Sequence, residues 1–244
     1  MIDMNAGVLA VLAFGFVAGL KHALDPDHVV AVSAIVSEHK SLARSSLIGT
    51  FWGLGHSASL LAVGLLIILL RNAISEETAL WMELPVAVML IVLGARVLVK
   101  IARERGIEVH AHAHSHDGEL PHKHIHVHNR DAHDHKHYLI RLARRPFAVG
   151  MVHGFAGSAA VTLGAMTSIP SVSLGLIYIA LFGLGSIGGM LLMSAMIGLP
   201  FAVTAGRFST INSGIRLLAG LFSIGFGLFL AWGLIIQLVE INSN

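Results

Sequence analysis

From Pro146 to Gly206 the chain carries no Asp, Glu, Lys or Arg. A run of that kind does not suit a soluble domain, whose water-facing surface needs charge. The rest of the chain agrees. Of its 244 residues 55% are hydrophobic and 12% charged, against about 25% charged in an average soluble domain. Half of the charged residues lie between Lys100 and Arg145, so the net charge of +2 describes connections. It gives no ground for nucleic-acid binding. With no cysteine, disulfides and thiolate metal sites are excluded. The expected class is all-α integral membrane, with the lipid bilayer as its first partner and no soluble enzyme chemistry.

A helix needs roughly 20 apolar residues to span a bilayer. Six segments meet that length, near 4–24, 47–70, 84–101, 147–168, 173–203 and 215–238, and Pro200 is expected to end the fifth. Met1–Asn5 holds an acid and no base, unlike a secretory signal, so the first segment is expected to be a permanent helix. Connections 37–46, 102–146 and 204–214, with Lys100 and Arg216, hold thirteen Lys and Arg, whereas the opposite face has only Arg71. That bias places the rich side in the cytoplasm. The chain is thus expected to be a multi-pass protein of the cytoplasmic (inner) membrane. Both termini lie outside in this reading, and the central loop is cytoplasmic.

Two similar halves flank that loop. Gly19-Leu20-Lys21-His22 resembles Gly150-Met151-Val152-His153, and Gly53-Leu54-Gly55-His56 resembles Gly183-Leu184-Gly185-Ser186. The alternative is that glycine-rich membrane helices share such tetrads by chance. As a repeat, the chain divides into a three-helix unit at 1–105, a loop at 106–140 and a second three-helix unit at 141–244. An odd number of spans makes the two units inverted, an arrangement found in transporters with the substrate site at the repeat interface.

The string His22-Ala23-Leu24-Asp25-Pro26-Asp27-His28 follows an apolar run directly. On a continuous helix His22 and His28 would stand about 120° apart, out of reach of one ion. Pro26, however, disfavours helical geometry at Asp25, and Asp-Pro makes a cap and first position for a new helix. Span 1 is therefore expected to break, with a short helix to about Val36, freed carbonyls at the break and Lys21 snorkelling or paired with Asp25. The break folds His22 toward Asp27 and His28, and two imidazoles with a carboxylate suit nickel, cobalt or zinc. The plainer alternative is a capped turn at the membrane surface with both histidines in water, which Asp25 would serve. Asp25 is accordingly ranked as a secondary ligand.

His56 and His153 each follow a glycine by three residues, on one helix face with room beside the ring. The Gly-x-x-x-Gly pairs Gly15/Gly19, Gly49/Gly53 and Gly150/Gly154 predict close helix contacts at these levels. Either histidine alone would pass for an interhelical hydrogen bond, but three such tetrads point to a shared polar pathway, with Ser57 and Ser186 as secondary candidates. Between these halves lie eleven further histidines: His110, His112, His114, His116, His122, His124, His126, His128, His133, His135 and His137. Nothing there builds a core, so the loop is expected to be disordered. Neutral imidazoles at this density predict several metal ions held at modest affinity, against the alternative of an inert solvated linker.

The pattern His22-x4-Asp27-His28 resembles the His-x4-Asp-His signature of nickel/cobalt transporters. Trp52-Gly53-Leu54-Gly55-His56-Ser57 is similar to that family's second signature, an aromatic residue followed by Gly-His-Ser. The resemblance implies that His22, Asp27 and His28 handle metal with His56 close by. Typical members carry Asp-Thr motifs in later spans, where this chain has His153-Gly154-Phe155 and Gly185-Ser186. It is thereby more similar to a shorter, urease-accessory-type branch, while its central loop resembles that of efflux members. The expected function is uptake of nickel or cobalt, the ion being substrate and not cofactor. Efflux and a membrane-anchored metal buffer or sensor are the alternatives. With no phosphate-binding loop, a nucleotide-driven step would need an energising partner. An intramembrane hydrolase lacks any supporting motif. Homo-oligomerisation is open.

Overall fold

The computed structural model describes residues 6–70, 75–105, 111–114, 122–125, 142–156 and 171–243. The helices are α1 (Ala6–His22), α2 (Pro26–Val36), α3 (Leu42–Leu70), α4 (Glu76–Arg105), α5 (142–156), α6 (Val172–Thr204) and α7 (Ser209–Ser243). Among the described residues α3, α4, α6 and α7 are long and apolar enough to cross a membrane. The α1/α2 pair, bent by 52° at its break, is a broken span or a re-entrant element. The chain is a helical membrane protein. The expected fourth span, 147–168, is described only as far as residue 156.

Two expectations are corrected. Pro200 does not end the fifth span; it sits inside α6, which continues to Thr204. In the turn that follows it, Thr204 donates to the Pro200 carbonyl at 2.7 Å and Asn212 of α7 to the Phe201 carbonyl at 3.2 Å. Nor is the central loop wholly without structure. Strands β1 (Ala111–His114) and β2 (His122–Ile125) pair antiparallel, with His112 opposite His124 and His114 opposite His122. The alternating sequence has the period of a strand, although a lone two-stranded ribbon is marginal in water. Of the other loop histidines, His110, His116, His126, His128, His133, His135 and His137 lie outside the described residues.

Helix α2 is the buried centre. Val30, Ala31, Val32, Ala34 and Val36 are all closed off, and α2 touches α3, α4, α6 and α7. By contrast Phe14, Met196, Leu218, Phe229 and Trp232 turn outward from α1, α6 and α7, an apolar coat that suits lipid rather than water. At one end of the bundle Arg216 of α7, itself buried, grips Glu104 of α4 through two bonds of 2.6 and 3.2 Å. Planar guanidinium matches carboxylate in this two-pronged way.

The helix crossings repeat a pattern. A Cβ on Gly19 of α1 would collide with the Phe182 carbonyl of α6, and one on Gly185 with the Phe16 carbonyl of α1. A Cβ on Gly150 of α5 would likewise strike the Trp52 carbonyl of α3, and one on Gly55 the Phe147 carbonyl of α5. In all four cases the opposing carbonyl lies three residues before the partner glycine. Of the glycine pairs 15/19, 49/53 and 150/154, Gly15 meets the Tyr178 ring and the other five meet backbone of the facing helix, the close contacts expected. Helix α1 thus packs on α6 as α5 packs on α3, so each half of the chain lends a helix to the other.

Candidate metal centre

The break between α1 and α2 sets the site. Asp25 has extended geometry, φ −60° and ψ 144°, and Pro26 opens α2. Residue 25 is thereby kept out of the helix, as the sequence predicts. Yet the Asp25 side chain makes no capping bond. It accepts instead from His22 Nδ1 at 2.7 Å, so the expected pairing with Lys21 is replaced by one with His22. Nor are all the carbonyls at the break free: those of Gly19, Lys21 and His22 accept from Ala23, Leu24 and Asp25 in a tight turn.

A carboxylate only accepts, so the His22 proton resides on Nδ1 and a lone pair remains on Nε2. That Nε2 lies 3.2 Å from Nε2 of His56, which enters from α3. In the first turn of α2, Asp27 Oδ1 accepts from both the backbone N–H and Nδ1 of His28, at 2.9 and 3.1 Å. Its other oxygen, Oδ2, lies 2.9 Å from Nε2 of His153 on α5. The rings of His28 and His153 stand 4.0 Å apart, and those of His22 and His28 4.6 Å. Two triads result, His22/His28/His56 and Asp27/His28/His153, each with ligand atoms within 4.8 Å of one another. Nitrogen ligands around a tetrahedral ion at about 2.0 Å stand about 3.3 Å apart. The pairs His22–His56, His28–Asp27 and His153–Asp27, at 3.2, 3.1 and 2.9 Å, already stand near that spacing, and His28 belongs to both triads.

Exposure falls across the group. Asp25 is 47% exposed, Asp27 31% and His22 17%, while His28 and His153 are at 1–2%. The acidic side is the mouth, and the imidazoles form the floor. Nε2 of His28 and Nδ1 of both His56 and His153 are buried without a hydrogen-bond partner among the described residues. Each such orphan costs about 1–3 kcal/mol, and a cation is one group able to satisfy several nitrogen lone pairs at once. The site also sits deep, since His56 is the fifteenth residue of the 29 in α3.

Two neighbours were not singled out as site residues from sequence. Trp52 stacks on His28 with ring centroids 5.6 Å apart and planes at 20°, closing the floor with an apolar face. Glu83 of α4, half-buried, lies close enough to Asp27 to feel its charge. An acid inside the apolar run of α4 was a visible signal. Ser57 donates to the Gly183 carbonyl at 2.9 Å and Ser186 to that of Gly19 at 3.3 Å. Both hydroxyls are thus engaged at helix crossings, outside the two triads.

The family model described as "NicO: High-affinity nickel-transport protein" matches residues 6–240. The chain is 37% identical over 231 residues to "Urease accessory protein UreH" of Bacillus sp. (strain TB-90), covering 93% of this chain and 92% of that one. It is also similar to two Arabidopsis thaliana proteins, "Chloroplast protein FOR GROWTH AND FERTILITY 1" and "2". Identities are 27% and 26%, over 92% of this chain and 59% and 57% of theirs. No solved structure matches. A family match over nearly the whole chain, with a relative of the same extent at 37% identity, means that the chain belongs to the NicO family of high-affinity nickel-transport proteins.

Proposed function

We propose that this protein moves a divalent transition-metal ion, nickel foremost and cobalt by the same ligand chemistry, across the cytoplasmic membrane. The observation that carries the reading is the meeting of His22, Asp27, His28, His56 and His153, from four helices, deep inside an apolar bundle. Imidazole nitrogen and carboxylate oxygen form a borderline donor set that suits nickel. Ionisable groups at such depth are costly and normally functional.

In this reading the ion meets Asp25 and Asp27 first, loses water to them, and then passes to the three buried imidazoles. Binding releases the hydrogen bonds of Asp27 to His28 and His153 and frees both oxygens for the ion. Uptake is the favoured direction, because a family described as high-affinity suits capture of a scarce ion. The glycine pairing of α1 with α6 and α5 with α3 supports two inverted three-helix units. A site at the interface of such units, beside a broken helix, fits alternating access about the midplane. The histidine loop serves as a cytoplasmic metal store, and both termini lie outside.

Deleting residues 106–140 and measuring nickel flux into proteoliposomes tests this reading. A transporter retains flux without the loop. Loss of flux, with nickel binding lost in parallel, would instead assign the function to a membrane-anchored buffer.

A further inference from the structure

A second feature lies away from the metal cluster. Between the C-terminal end of α2, the following turn, α4 and the start of α5 there is a cavity of about 730 Å³, within the usual range of about 300–1,000 Å³ for small-molecule sites. Its lining combines apolar Ile35, Leu93 and Val149 with a charged set, Arg96, Arg144 and Arg145 together with Glu38 and His39.

The charges there do not cancel. Glu38 is already paired with Lys100 at 3.4 Å. Burial, aided by Lys100 and Arg44, holds His39 below the ordinary imidazole range against the pull of Glu38, so it adds no charge near neutrality. None of the three arginines pairs with a carboxylate among the described residues. A divalent cation is repelled by such a lining, so the cavity is no staging post for the transported ion. Three exposed guanidinium groups lining one cavity, from α4 and α5, favour a multi-oxygen anion, and phosphate fits their forked donors best.

We infer that this cavity binds a phosphate-bearing anion, its phosphate on Arg96, Arg144 and Arg145 and any apolar portion against Ile35, Leu93 and Val149. Basic pockets between helices on the cytoplasmic side are suited to acidic lipid headgroups, and the charge bias puts this end of the bundle there. The location gives binding a consequence. Helix α2 carries Asp27 and His28 at one end and walls the cavity at the other, while α5 carries both His153 and Val149. An anion held here ties together the two helices whose side chains meet at the metal cluster. That coupling rests on the proposed transport site, whereas the anion site does not.

The test uses the full-length protein in detergent, titrated with phosphatidylglycerol, phosphatidylcholine or inorganic phosphate, with bound ligand read by native mass spectrometry and thermal unfolding. Each arginine contributes about fivefold in affinity, so Arg96→Gln/Arg144→Gln/Arg145→Gln is expected to weaken anion binding on the order of a hundredfold. A control losing equal charge outside the cavity, Lys40→Gln/Arg103→Gln/Arg207→Gln, is expected to stay within about threefold of the parent. Retention of phosphatidylglycerol alone identifies a lipid headgroup. Equal stabilisation by inorganic phosphate identifies a free anion, and either result supports the site. No preference for either anion over phosphatidylcholine overturns it, as does a control that weakens binding as much as the cavity variant. Should the triple variant fail to fold, Arg96→Gln alone must show the fivefold loss.

Discussion

Asp27 and His153, 126 positions apart in the chain, meet with Oδ2 2.9 Å from Nε2. This contact ties the first turn of α2 to α5 of the second half. It gives the second half a direct hold on the group that ranks first in the sequence.

His28, the neighbour of Asp27, and His153 differ in reach. His28 belongs to both triads and His153 to one. His153→Ala should therefore slow nickel turnover strongly while weakening equilibrium nickel affinity less than His28→Ala does. Parallel binding isotherms and flux measurements on the two variants check this. Unchanged turnover in His153→Ala would reduce that histidine to a packing residue.

Asp25 orients His22 through Nδ1 and leaves Nε2 facing His56. Losing such a support typically costs about 10–100-fold in metal affinity. Asp25→Ala should fall in that range. Asp25→Asn, whose amide oxygen still accepts the hydrogen bond, should lie between it and the parent. Isothermal titration with nickel distinguishes them, and an Asp25→Ala affinity equal to the parent would remove the orienting role.

Glu83 of α4 lies within electrostatic range of Asp27. On the expected orientation it stands on the outer approach to the site. Glu83→Gln should lower nickel uptake several-fold at limiting metal and little at saturation, because it changes arrival more than chemistry. The loss should shrink as salt is raised, since screening weakens long-range attraction. Concentration-dependent flux at two ionic strengths provides the check.

How much of this was legible in the sequence depends on the range of the interaction. The break at Asp25-Pro26 was readable because proline geometry is local. The glycine contacts were readable as well, since only close approach explains such spacing in apolar helices. The Asp25–His22 bond was missed because a cap was the stronger local expectation, yet the turn presents the carboxylate to the imidazole instead. Pro200 was misread for the opposite reason: its local rule does not end a helix that packs along its length on α1 and α3. The Gly-x-x-His tetrads placed His153 on the shared pathway but did not show that its partner is Asp27, because that proximity depends on how α5 packs against α3.

The central claim is that one cluster, floored by His28, carries the transported ion. Nickel flux into proteoliposomes containing correctly folded His28→Ala protein tests it most directly. Flux falling to that of protein-free vesicles is the predicted result. Parent-level flux would contradict the claim outright.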